Sequence, residues 1–291
     1  MTVAGGNGKG NGLDQLYNPW GMHVDDDQSI YVADQANHRL MEWKINATSG
    51  QILIGRKGGG QRNDQLNGPV NIIVDKQNDC WIICDSGNKR IVRWPRRDST
   101  CGEPIITNVA CCGIAVDDDG YIYFSDYQKH EVRRWKIGEK NGTLVAGGNG
   151  GGNRLDQLSQ PYYIFVDHDQ SVYVSDYGNH RVVKWLKGAR EGIVVAGGRG
   201  PGNALDELSN PRGIVIDQMG TIYVADQKNH RLVRWLKGAT EGSIVVGGNE
   251  PGAQANQLNN PLDLSFDQEN NLYVVDFTNH RVQKFLLATD F

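Results

Sequence analysis

The chain has 291 residues, a formal charge of −4 and a pI near 6. This disfavours nucleic acid as a partner, because broad binding needs a basic face to displace counterions. No apolar run approaches the ~20 residues of a membrane-spanning helix, and the start, Met1-Thr2-Val3-Ala4-Gly5-Gly6, lacks the basic and apolar regions of a signal peptide.

The sequence opens partway through a repeating unit. Thr2-Val3-Ala4-Gly5-Gly6 matches Val145-Ala146-Gly147-Gly148 and Val195-Ala196-Gly197-Gly198. A Gly-rich loop follows, with kin starting at Gly147, Gly197 and Gly247 and a looser copy from Gly55. Its Leu-x-x-Leu spacing predicts a single helical turn tucked onto neighbouring strands. Short apolar runs come next. In the plainest copy they cover residues 213–217, 222–225, 231–235 and 243–246, each bounded by Gly, Asp or Asn and rich in Val, Ile and Tyr. That is a strand signature. The first two runs are apolar on both faces, so they are buried on both faces.

The second run ends in an aspartate six times, at Asp34, Asp85, Asp126, Asp176, Asp226 and Asp276. The third closes on Trp43, Trp94, Trp135, Trp185, Trp235 and Phe285. The aspartate intervals are 51, 41, 50, 50 and 50 residues. Periods of this size mean a repeat architecture. The short interval comes from a missing loop: Ile105-Ile106-Thr107-Asn108-Val109-Ala110-Cys111-Cys112 runs straight into the next unit. The ring is expected to be notched there.

A four-stranded sheet can be buried on both faces only between two neighbours, and a closed ring of sheets provides them. The motifs Pro-x-Gly-Ile-x-x-Asp, Ile-Tyr-Val-x-Asp and Asn-His-Arg-x-x-x-Trp resemble the NHL-repeat family. Asn-His-Arg stands at Asn37-His38-Arg39, Asn179-His180-Arg181, Asn229-His230-Arg231 and Asn279-His280-Arg281. Asn88-Lys89-Arg90 and Lys129-His130-Glu131 depart from it. The resemblance spans the chain and implies an all-β fold: one domain over residues 1–291, a six-bladed β-propeller of four-stranded antiparallel blades. The last repeat stops after its third strand. The N-terminal strand is therefore expected to complete the last blade and cover an open edge.

Most chemistry-bearing residues have a structural reading. A strand-ending Asp can fix the following turn through backbone N–H groups, with the Arg five residues on as a charge-assisted partner. Glu131 removes that partner from Asp126. His38, His130, His180, His230 and His280 occupy one motif position in different blades, too far apart for a shared metal; they are expected to be buried packing residues. His23 alone lies on a first strand near the axis. The histidine set of the NHL-like peptide-amidating lyases, which hold zinc at the axis, is not visible. Asp25-Asp26-Asp27 and Asp117-Asp118-Asp119-Gly120 read as acidic hairpin turns without the full calcium-loop spacing. No cofactor and no metal are expected.

Five cysteines, an odd count, argue against a secreted disulfide framework, and Cys111 and Cys112 read as thiols. The sequons Asn46-Ala47-Thr48 and Asn141-Gly142-Thr143 argue the other way. The compartment stays open, leaning to extracellular.

Repeats differ where they do something other than support the scaffold. After the motif Pro come Trp20, Val70, Cys112, Tyr162, Arg212 and Leu262, then Gly21, Asn71, Gly113, Tyr163, Gly213 and Asp263. After the motif Asp come Gln35, Ser86, Tyr127, Tyr177, Gln227 and Phe277. In a four-stranded meander both positions fall on one face, around one mouth of the central channel. The expected ligand-binding set is Trp20, His23, Asn71, Tyr127, Tyr162, Tyr163, Tyr177, Arg212, Asp263 and Phe277, a mixture of aromatic, amide and charged groups suited to recognition. The reading is a monomeric, non-enzymatic domain binding a peptide, glycan or protein. Two alternatives are a metal-dependent lyase or hydrolase with its metal on the axis, and a single-stranded RNA-binding NHL domain. Against the latter, Arg93, Arg134, Lys184, Arg234 and Lys284 are spread over different third strands.

Overall fold

The structure is a computed structural model that describes residues 1–97, 100–139 and 141–287. Its strands form six four-stranded sheets. The first strands are Pro19–Val24, Pro69–Asp75, Cys111–Val116, Pro161–Val166, Pro211–Ile216 and Pro261–Phe266. Each packs against the next, and the last against the first, so these strands line the axis of a six-bladed propeller. Blades are numbered one to six from them. Every first strand begins one side of a β-bulge: Pro211 pairs with Asp226, and regular pairing resumes at Ile214 with Val224. A proline has no N–H to give the ladder, so it suits this strand-opening position.

The ring closes as the repeat pattern requires. Thr2–Gly5 pairs antiparallel with Arg281–Phe285, with Ala4 opposite Val282 and Gly5 opposite Arg281. That completes blade six. The core is a series of layers between blades. Tyr173 and Val182 of blade four meet Ile214, Ile222 and Trp235 of blade five in one buried cluster. This is why the first two strands of each repeat are apolar on both faces.

Five of the six motif aspartates hold the incoming loop rather than the backbone amides of the turn that follows them. Asp226 Oδ1 accepts the Ser209 N–H at 2.7 Å, and Oδ2 accepts Asn229 Nδ2 at 2.8 Å and Arg231 Nε at 2.7 Å. Arg231 then donates to the Asn203, Ala204 and Glu207 carbonyls at 2.7–3.1 Å. Asn229 also donates to the Gly202 carbonyl at 2.7 Å. The clamp thus pins the long loop that enters its own blade. Asp34, Asp85, Asp176 and Asp276 do the same with Arg39, Arg90, Arg181 and Arg281. The loop itself forms turns rather than a helix. The second leucine of each Leu-x-x-Leu copy (Leu16, Leu158, Leu208) is fully buried, while the first (Leu13, Leu155, Leu205) is exposed.

The motif histidines complete the hold from the preceding blade. They are half-buried rather than buried, and sit in left-handed backbone with φ of 51–57°. His230 Nδ1 accepts the Asn260 N–H at 3.1 Å, and His38 Nδ1 accepts that of Gly68 at 2.9 Å. His130, His180 and His280 make the equivalent bond to Gln160, Asn210 and Asn18. Each loop is therefore tied to both blades it joins.

The two motif departures have one cause. Lys89 replaces the histidine of blade two and Glu131 the arginine of blade three, and the long loop missing from the sequence is the one between these blades. With no loop to hold, Asp126 turns to the amides of Gln128 and Lys129, both at 3.1 Å, and Glu131 pairs with Arg133 at 2.8 Å. A disulfide between Cys84 of blade two and Cys111 of blade three crosses this junction. Cys111 is therefore not a thiol as the sequence suggested, whereas Cys112 is. The covalent link stands where the polar clamp is absent.

Three outcomes follow from these contacts. Asp226→Ala strands a buried guanidinium and is expected to cost about 3–5 kcal/mol in urea unfolding. Asp126→Ala removes two turn amide bonds and an ion pair to the exposed Lys129, and is expected to cost about 1–2 kcal/mol; equal losses would show that the clamp is not the relevant interaction. Deleting residues 1–6 reopens blade six, and is expected to lower and broaden the thermal transition; an unchanged melt would refute closure by pairing. The third concerns acid. Burial, first among the causes, depresses the His180, His230 and His280 pKa values. A depressed imidazole gives stability that is present above the unfolded value of about 6.5 and lost as pH falls through the folded value. The stability gap between the parent and His230→Ala should therefore narrow between pH 7 and 5, as followed by urea titration at each pH.

Candidate functional site

Because side chains alternate along a strand, two residues of each first strand reach the axis. The upper layer is Gly21, Asn71, Gly113, Tyr163, Gly213 and Asp263, all buried. The lower layer is His23, Ile73, Ala115, Phe165, Val215 and Ser265, all partly exposed. In the upper layer glycines alternate with larger residues. A Cβ on Gly21 would lie 2.5 Å from the Val70 carbonyl and 2.9 Å from the Asn71 Cα, and one on Gly213 would lie 2.7 Å from the Asp263 Cα. The glycines let the neighbouring backbones approach, and the three large polar side chains fill the axis.

Tyr163 reaches across that axis: its hydroxyl donates to the Trp20 carbonyl on the opposite blade at 2.9 Å. The channel is closed at this level. Burial drives the Tyr163 pKa well above its ordinary value, so the hydroxyl keeps its proton. Asp263 sits beside it, 6% exposed. Its oxygens accept the backbone N–H groups of Met22 and Leu264, each at 2.8 Å. Burial pushes its pKa up to about 7 against those two bonds.

Outside this plug the mouth is aromatic. Arg212 stacks its guanidinium over Tyr162 at 3.9 Å, Tyr177 at 4.4 Å and Trp20 at 5.3 Å. Tyr127 stacks on Tyr162 with ring centroids 5.6 Å apart, and Phe277 meets Trp20 edge-on at 5.9 Å. Arg212 Nε donates to Gln227 Oε1 at 2.9 Å. Among the described residues no carboxylate pairs with Arg212, and its Nη1 and the Trp20 Nε1 are buried without a hydrogen-bond acceptor. The backbone carries these side chains firmly: Ser125 donates to the Tyr162 carbonyl at 2.6 Å and Ser175 to that of Arg212.

The ten residues singled out in the sequence thus divide. Trp20, Tyr127, Tyr162, Tyr177, Arg212 and Phe277 gather on the mouth face. Asn71, Tyr163 and Asp263 form the axial plug, and His23 lies below it, in the channel that opens to the other face. Gln227, which orients Arg212, and Cys112, buried beneath Trp20 with its thiol pushed up to about 12 by burial, complete the set. Both stood at the variable positions of the repeat. No three or more His, Cys, Asp or Glu side chains come together to hold a metal ion among the described residues, and no helix there is long and apolar enough to cross a membrane.

Residues 16–41, 208–235 and 258–285 each match the NHL repeat. No curated protein matches the chain. Solved structures similar in fold include an auxiliary nutrient binding protein from Bacteroides thetaiotaomicron, with a TM-score of 0.75 and 15% identity over 98% of this chain and 75% of that one. A gluconolactonase from Xanthomonas campestris gives 0.67 and 15% identity, covering 93% and 86%. Virginiamycin B lyase from Staphylococcus aureus gives 0.57 and 11% identity, covering 96% and 88%. At these identities the likeness shows the fold alone.

Proposed function

Since the chain is an NHL-repeat six-bladed β-propeller, its function has to be read from its faces, and we propose that it is a non-enzymatic recognition domain that binds a peptide, glycan or protein across the aromatic mouth and the adjoining long loops. Similar folds include a binding protein and enzymes, so the fold does not choose between them. The site carries the reading. Its single strongest observation is a 94% buried arginine, without a carboxylate partner among the described residues, held between the rings of Tyr162 and Tyr177.

A buried guanidinium is costly unless it gains a partner. Here aromatic faces supply part of that stabilisation, and a ligand acceptor would supply the rest. The half-exposed rings of Trp20, Tyr127, Tyr177 and Phe277 offer apolar area with little rotamer freedom to lose, which suits sugar faces and peptide side chains. Tyr163 closes the channel beneath, so the ligand lies on the mouth rather than passing through it. A metal-dependent lyase or hydrolase would need axial ligands, and the two axial layers offer only His23 and Asp263 as side chains of that kind.

Glycan and peptide arrays probed with the purified domain test this. Tyr177→Ala alters a half-exposed ring outside the core and should leave the melting temperature nearly unchanged, whereas Phe277→Ala also loses packing against the core between blades six and one and should lower it modestly. Each is expected to weaken an array hit at least about tenfold, ~1.4 kcal/mol. Hits that persist undiminished in both variants would move the site to the outer loops.

A further inference from the structure

Below the plug the molecule has an open cavity that the mouth does not use. It holds about 430 Å³ and is lined by both axial layers. That volume is within the range of small-molecule sites. Its wall is apolar over most of the ring: Ile73, Ala115, Phe165 and Val215. Asn71 and Tyr163 roof it, and the other polar groups are on one side. His23 belongs to blade one and Asp263 and Ser265 to blade six, and these two blades adjoin.

Asp263 is the feature that asks for a ligand. Each carboxylate oxygen accepts one backbone N–H, and among the described residues no cationic side chain pairs with it. Each oxygen therefore keeps acceptor capacity, and a carboxylate has about four lone-pair sites in all. His23 stacks on Tyr31 with centroids 6.5 Å apart, and its Nε2 is buried without a partner. Burial, the largest influence, lowers its pKa to about 4. It is thus a neutral ring with an unused polar nitrogen, and it brings no competing positive charge.

We propose that this channel is a second binding site, separate from the mouth, which takes the protonated amine of a small ligand at the Asp263 carboxylate and the ligand's apolar part against Ile73, Ala115, Phe165 and Val215. A primary ammonium supplies three donors. It can meet the open lone pairs of Asp263 while its charge offsets that of the buried carboxylate. The alcohol of the same shape supplies one donor and no charge. Entry is from the face opposite the mouth, because Tyr163 and Trp20 seal the other end.

Calorimetric titration with benzylamine and with benzyl alcohol tests the proposal. Benzylamine is expected to bind one to one, at least tenfold tighter than benzyl alcohol, and Asp263→Asn is expected to abolish the difference. Ala115→Phe leaves Asp263 untouched and fills the channel; it should remove binding of both probes with the fold intact by circular dichroism. The proposal is overturned if the parent protein binds neither probe, if it binds both equally, or if folded Ala115→Phe still binds benzylamine. Should Asp263→Asn fail to fold, the amine-to-alcohol ratio of the parent and the Ala115→Phe result decide the matter alone.

Discussion

The structure depends on holding long, Gly-rich loops against the blades they connect. Such loops have little apolar surface of their own and many backbone groups to satisfy. Each loop copy is met by a buried carboxylate, a buried guanidinium and an asparagine from the blade it enters, and by a histidine from the blade it leaves. A buried ion pair is worth keeping when its remaining hydrogen-bonding capacity is used, and here the guanidinium spends it on three loop carbonyls. The clamp thus works beside the apolar layers between blades to join separate four-stranded sheets into one ring. Where the loop is absent the clamp is dismantled on both sides, and Cys84–Cys111 takes its place.

Much of this was legible in the sequence because the repeats expose their own exceptions. Six copies of one phrase in register give blade number, strand order and the closure by Thr2–Gly5. The variable positions after the motif Pro and motif Asp single out the residues around the axis. What the repeats could not supply was depth. Trp20 and Gly21 are neighbours in sequence, yet one faces the mouth and the other the axis, and a bulge in every first strand intervenes before regular pairing resumes. Asn71, Tyr163 and Asp263 therefore looked like mouth residues but form the plug. The partner of Cys111 was hidden because it comes from another blade, and the role of the motif histidines because their bond is to the next loop rather than to their own strand.

Tyr163 divides the channel into two environments. Above it, cation–π stacking and a short polar relay from Gln227 hold one arginine in a bed of rings. Below it, apolar walls surround a carboxylate with only backbone partners. The two environments differ in sign, in shape and in the face from which they are reached. Both are built from the variable residues of an otherwise regular frame, and none of those residues belongs to a clamp.

The alternation of glycine and bulk in the upper axial layer has a further consequence. Gly21, Gly113 and Gly213 are each followed around the ring by Asn71, Tyr163 and Asp263, and the glycine positions have no room for a Cβ. The packing unit at the axis is therefore a pair of blades, three times over, although the repeat in sequence is a single blade. This imposes a parity rule. An even number of blades is what lets the alternation close on itself around the ring. A change of one places two bulky residues, or two glycines, side by side, and leaves a clash or a hole at the centre.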